Sequence, residues 1–302
     1  MTSTIFTQVF RFGVPVFIVL WAYFADKTIS KKYHYRGDQI YYLASKFVVF
    51  FILFVIASLG YFFIHVDWQT FNLKSMFTQH WSGYGWSGQY FFVILFQLIP
   101  LMFFYRKLSP KWHVCITMSG LLLYLSIGYI LFQYNLISKI GDRLFVYWLP
   151  YVSLGILFSR GIFPLPKELR WCLLALLVFL IPMEFYLLKE LSISHSEYLI
   201  PSVFVGTIGI LSIIFGPLQK SEFAIHSSTI RIFQWIGASS LGIYVLNPAV
   251  IMFIRYLNLP KIPTDIPIVS QIMPFVTTGV VIALCYGIIL ILRKTPLRRL
   301  NI

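Results

Sequence analysis

The polar residues at the edges of this chain's long apolar runs are the ones whose types could do chemistry. Five are candidates for substrate binding: Lys46, His80, Trp86, Gln89 and Asn247. Three of them share one stretch, His80 to Phe104, which reads HWSGYGWSGQYFFVILFQLIPLMFF. Its aromatic, glycine-rich start suits a membrane-water boundary, where rings with polar edges gather. It then becomes an apolar run holding Gln89, Gln97 and Pro100. Polar side chains at membrane depth face protein or a cavity. An imidazole such as His80 takes a proton from a hydroxyl only when it reaches that hydroxyl and a partner holds it; packing at the interface is the alternative role. Asn247, followed by Pro248, sets a carboxamide at a kink, as a cavity wall or as a helix-helix hydrogen bond.

Lys46, just inside an apolar run and after the cluster Lys27 to Arg36, has two readings. It could grip the phosphates of a cytosolic acyl donor such as acyl-CoA, or only fix topology and touch anionic lipid. Arg11 either anchors an anionic or hydroxyl-rich substrate beside Pro15 or snorkels to the interface. The six histidines, His34, His65, His80, His113, His195 and His226, fall in loops or at the ends of runs, and no pair has metal-ligand spacing. No metal site, glycine-rich phosphate loop or nucleophile-elbow serine is readable. Cys115, Cys172 and Cys285 form no disulfide framework.

The elements that must position these residues are membrane helices. Of 302 residues, 59% are hydrophobic and 11% charged, and the mean hydropathy is +0.80, outside the balance of a soluble domain. The expected fold is an all-α, polytopic integral membrane helical bundle forming a single domain over residues 1–302. About nine runs are long enough to cross roughly 30 Å of hydrocarbon. They are Ile5 to Ala25, Tyr42 to Ile64, Ser87 to Tyr105, Val114 to Gln133, Leu144 to Ser159, Leu169 to Leu188, Tyr198 to Gly216, Phe233 to Tyr256 and Val269 to Leu292. The net charge of +14 does not mark nucleic-acid binding, because the basic residues form short clusters between apolar runs. One side collects clusters at Lys27 to Lys46, Arg106 to Lys111, Arg160 to Arg170, Lys220 to Arg231 and Arg293 to Arg299. The other side receives only Lys74, Lys139, Arg143, Lys189, Arg255 and Lys261. The positive-inside rule therefore predicts a cytoplasmic C-terminus in a cell membrane. Nine spans then put the N-terminus outside, as though a first helix were missing.

Five segments, in order, carry a family resemblance. IGASSLGIYVLNPAVIMF resembles the closing motif of the membrane acyltransferase-3 family, Ser-x-Gly-Ile-Tyr-Leu-x-His-Pro. RFGVPVFIVLWAYF resembles its second helix, YYLASKFVVFF its third, WSGQYFFVILFQLIPL its tryptophan-led fourth, and LPYVSLGILFSR a later helix ending in a Leu-Gly-Ile turn. The resemblance implies ten helices with both ends cytoplasmic, and transfer of acyl groups, often acetyl, from a cytosolic donor to sugar hydroxyls of envelope molecules. It accounts for the external N-terminus by the absence of the family's first helix, which carries an arginine and the histidine associated with transfer. The later segments depart from the pattern too. Trp21-Ala22 or Ala22-Tyr23 stands where Ser-Gly is usual, Lys46 and Val49 where paired arginines are, and Asn247 where the closing histidine is.

These readings lead to two expectations. The first is an O-acyltransferase, active once a first helix is restored, moving an acyl group from acyl-CoA to an envelope or exported saccharide. Lys46 would lie at the donor mouth, and His80, Trp86, Gln89 and Asn247 toward the acceptor, with no bound cofactor and the bilayer and a glycan as partners. The second is a non-catalytic relative acting as a glycan transporter or as a membrane partner of a polysaccharide assembly complex.

Overall fold

The computed structural model describes residues 13–65, 72–86, 88–126, 143–162, 166–192, 198–220, 227–257 and 267–295. The regular secondary structure of these residues is helical, with no strand among them. In order, the helices are α1 (Gly13–Lys32), α2 (Arg36–His65), α3 (Leu73–Trp81), α4 (Gln89–Tyr105), α5 (Pro110–Ser126), α6 (Leu149–Ser159), α7 (Lys167–Glu190), α8 (Pro201–Lys220), α9 (Ser227–Tyr256) and α10 (Pro267–Leu292). The predicted runs fall on α1, α2 and α4 to α10, while Arg11 lies outside the described residues.

Two differences from the expected pattern have local causes. The fifth run is not one helix: Phe145–Trp148 is a 3-10 turn, and α6 begins after it with Pro150 in its first turn. Its 11 residues span only about 16 Å. The stretch before Trp86, which lies between two of the predicted runs, holds α3. Asn72 caps that helix, its Oδ1 accepting from the Lys74 N–H at 2.9 Å, and Gly83 ends it at φ 81°, the usual device at a helix C-terminus. Among the described residues, two helical segments are long and apolar enough to cross a membrane, Arg36–Phe63 and Phe275–Leu292. Gln89–Tyr105, Phe145–Ser159, Pro201–Ile213 and Ser239–Ile254 are shorter and apolar.

The helices group into two compact units. One holds α1, α2 as far as Phe47, α4 from Ile94, and α5 to α8. Its centre is α6, buried from Pro150 to Phe158, as expected of a helix apolar on every side. Helices α1 and α5 pack on α6, and α7 pairs with α8. A Cβ on Gly155 would collide with the Val19 carbonyl and come within 2.8 Å of the Ala22 Cβ, so α1 and α6 meet backbone to backbone. Gln97 reads the chain entering α6: its Nε2 donates to the Arg143 carbonyl at 2.9 Å and its Oε1 accepts from the Phe145 N–H at 3.1 Å. Glu184 accepts from the Ser202 N–H at 2.8 Å, a carboxylate at the N-terminus of α8, where the helix dipole favours it.

The other unit holds Val48–Val93, α9 and α10. Val250, Val281 and Cys285 form the core between α9 and α10. Much of the outer face of α2 is apolar and exposed, including Val48, Ile56, Leu59 and Phe63. That surface matches hydrocarbon surroundings.

Candidate functional site

In the second unit, α3, the turn after it and the start of α4 bring His80 and Gln89 together. Gln89 is fully buried, and each polar atom of its carboxamide is engaged. Oε1 accepts from the Gly85 N–H at 2.7 Å. Nε2 donates to Ser58 Oγ at 2.7 Å and meets His80 Nδ1 at 3.1 Å. The backbone donor at Gly85 decides which end of the amide is oxygen, so the NH2 group faces the imidazole. Nδ1 must then accept, and the ring proton sits on Nε2. Gly85 makes this possible, because a Cβ there would run into the imidazole ring. Gly88, at φ 96°, presents its carbonyl to the Tyr244 hydroxyl of α9 at 2.7 Å.

Trp86 and α9 both meet Tyr61 of α2. The Trp86 ring stacks on Tyr61 with centroids 4.9 Å apart. The Tyr61 hydroxyl enters α9, donating to the Val245 carbonyl at 2.9 Å and accepting from the Ala249 N–H at 2.8 Å. It stands in for the bond between those two residues that the helix would otherwise make, at the turn where Pro248 lacks a donor. Trp86 Nε1 and Asn247 Oδ1 are buried without a hydrogen-bond partner, one a donor and the other an acceptor. On α3, Asn72, Lys74, Thr78 and Gln79 line an open concavity of about 500 Å³.

The first unit gathers a second polar cluster. Asp26, 2% exposed, receives Arg106 Nε at 3.1 Å and Arg160 Nε at 3.4 Å, with Ser159 Oγ at 2.5 Å. Arg106 also donates to Ser30 Oγ at 2.7 Å, and Arg160 donates to the Arg106 carbonyl. Nearby in sequence, Tyr105 OH lies 2.6 Å from Ser153 Oγ, which lies 3.2 Å from His113 Nδ1. Among the described residues, no three His, Cys, Asp or Glu side chains assemble as metal ligands.

A family model described as an acyltransferase domain matches residues 1–293. The chain belongs to the acyltransferase-3 family. No curated protein and no solved structure matches it. Membership supports a membrane acyltransferase in general, in keeping with the two long apolar helical segments.

For an acyltransferase-3 protein, four of the five candidate residues belong to one unit: His80, Trp86, Gln89 and Asn247. Two direct contacts involve three of them, Gln89 on His80 and Trp86 on Tyr61. Lys46 belongs to the other unit, where it is half-buried with Nζ 5.7 Å from the Tyr42 ring centroid. Ser58 and Tyr61 went unnoticed in the sequence because a serine and a tyrosine in an apolar run carry no motif. Asp26 had one signal, an acid at the end of an apolar run in a chain with ten acids. Arg106 and Arg160 were counted only as topology determinants, although both meet Asp26.

Proposed function

We propose that this acyltransferase-3 protein moves an acyl group, acetyl in the simplest case, from cytosolic acyl-CoA to a hydroxyl of an envelope or exported saccharide. In that reaction the hydroxyl oxygen attacks the thioester carbonyl and the carbon-sulfur bond breaks. CoA leaves as the thiol, carrying the proton that the hydroxyl gives up. Lys46 serves the donor phosphates, and the second unit serves the acceptor. About nine spans with a cytoplasmic C-terminus give both substrates access.

The observation that supports the acceptor assignment is that two buried atoms of the second unit have no hydrogen-bond partner, Trp86 Nε1 and Asn247 Oδ1. Buried polar atoms without partners are uncommon, and a sugar hydroxyl, which both accepts and donates, suits either atom. The polar concavity on α3 supports a hydroxyl-rich ligand. We assign His80, its Nδ1 held by Gln89, to the acceptor side as well.

The test is transfer of labelled acetyl from acetyl-CoA to exported polysaccharide in proteoliposomes. Losing one buried hydrogen bond costs about 1–3 kcal/mol. Asn247→Leu and Trp86→Phe should therefore each lower transfer by about fivefold to a hundredfold, and Lys46→Gln should raise the KM for acetyl-CoA. Unchanged transfer in all three would sink this assignment of residues. A second reading, a non-catalytic glycan transporter or partner of a polysaccharide assembly complex, is favoured by the carboxamide of Asn247 at the family's histidine position. Under it, the folded wild-type protein transfers no acetyl at all while polysaccharide export still depends on it.

A further inference from the structure

The second unit contains a half-open apolar groove of about 240 Å³ between α2 and α9, closed at one end by α10. Leu53, Ile56 and Gly60 line one wall, Leu241 and Val245 the other, and Leu292 its end. From Leu53 to Tyr61 it follows α2 for about 12 Å. Nothing lies within 4 Å of where a Gly60 side chain would begin, and Ile56, itself 45% exposed, belongs to the apolar outer face of α2. A groove open to hydrocarbon takes a hydrocarbon chain. Immediately beyond Leu292 stand Arg293, which donates to Ser239 Oγ at 3.0 Å, and the exposed Lys294. Two adjacent cations thus border one end of an apolar slot.

We propose that this groove holds one acyl chain of an anionic phospholipid, with the headgroup phosphate at Arg293 and Lys294. The charge complementarity selects an anionic headgroup over a zwitterionic one, and each basic residue near a membrane surface favours an anionic lipid by about fivefold. The inference rests on the membrane placement and is independent of acyl transfer.

The experiment uses the full chain in mild detergent, offered phosphatidylglycerol or phosphatidylcholine with identical chains and weighed by native mass spectrometry. The wild type should retain one phosphatidylglycerol in preference to phosphatidylcholine. Gly60→Leu fills the groove where there is room for it and should reduce retention of both lipids at least tenfold. Gly279→Leu, equally open but away from the groove, serves as the folding control and should retain the lipid. Lys294→Gln should weaken phosphatidylglycerol retention about fivefold and leave phosphatidylcholine unchanged. Retention by Gly60→Leu equal to the wild type would overturn the groove, and equal retention of the two lipids would overturn the headgroup assignment.

Discussion

Gln89 changes character between sequence and structure. As a glutamine at the head of an apolar run it read as a substrate ligand, yet its donors and acceptor are taken up by Ser58, His80 and Gly85. It acts on His80, by fixing which ring nitrogen carries the proton. Gln89→Glu should reverse that choice. A carboxylate cannot donate to Nδ1, so Nδ1 itself must carry a proton and donate. Nitrogen-15 NMR of histidine-labelled protein, with the His80 signal assigned by its removal, reads the tautomer directly. Finding Nδ1 unprotonated in both proteins would show that Gln89 does not set it. His80 and its aromatic, glycine-rich surroundings were visible as a candidate in the sequence. Its partner was not, because a nine-residue separation across a turn has no periodic signature.

Among the helices, glycine carries two opposite meanings. At Gly155 a side chain would strike the Val19 carbonyl of α1, and backbone cannot swing aside as a side chain can. At Gly60 the same added methyl meets open space. Gly155→Ala should lower stability by about 1–3 kcal/mol through overpacking, despite alanine's better helix propensity. Gly60→Ala should raise it by up to about 1 kcal/mol, since propensity is then the main term. Thermal unfolding in detergent checks the pair, and a shared sign would refute the packing argument. Both glycines sit inside apolar helices, so helical pattern alone does not tell them apart. Tyr61 is similar: its hydroxyl enters the ladder of α9 from 184 residues away in sequence.

For the molecule as a whole, the cations behind the charge of +14 fall into those that the positive-inside rule counts and those that hold structure. Arg106 and Arg160 belong to both sets, since that rule counts charge near the ends of apolar segments and the folded chain pairs both with Asp26. Removing a buried partner leaves charge uncompensated, at about 3–5 kcal/mol when fully desolvated. The arginines are 13% and 24% exposed, so solvent screening reduces the expected loss for Asp26→Asn to about 2–3 kcal/mol. Denaturation of the full chain in detergent should show that loss, while reporters fused at the C-terminus show unchanged orientation. A variant as stable as the wild type would mean that the pairs contribute nothing net.

The sequence by itself determined the helical class, the places of most helices and the family, because these depend on local hydropathy, helix-end signals and ordered short motifs. It also singled out His80, Trp86, Gln89 and Asn247, since polar groups stand out against apolar runs. Tertiary structure alone decided what those groups touch: Ser58 on Gln89, Tyr61 between Trp86 and α9, Asp26 between two arginines. A hydrogen bond or an ion pair depends on distances of about 3 Å between atoms far apart in the chain. Residue type and spacing set which helices form, whereas only their packing sets those distances.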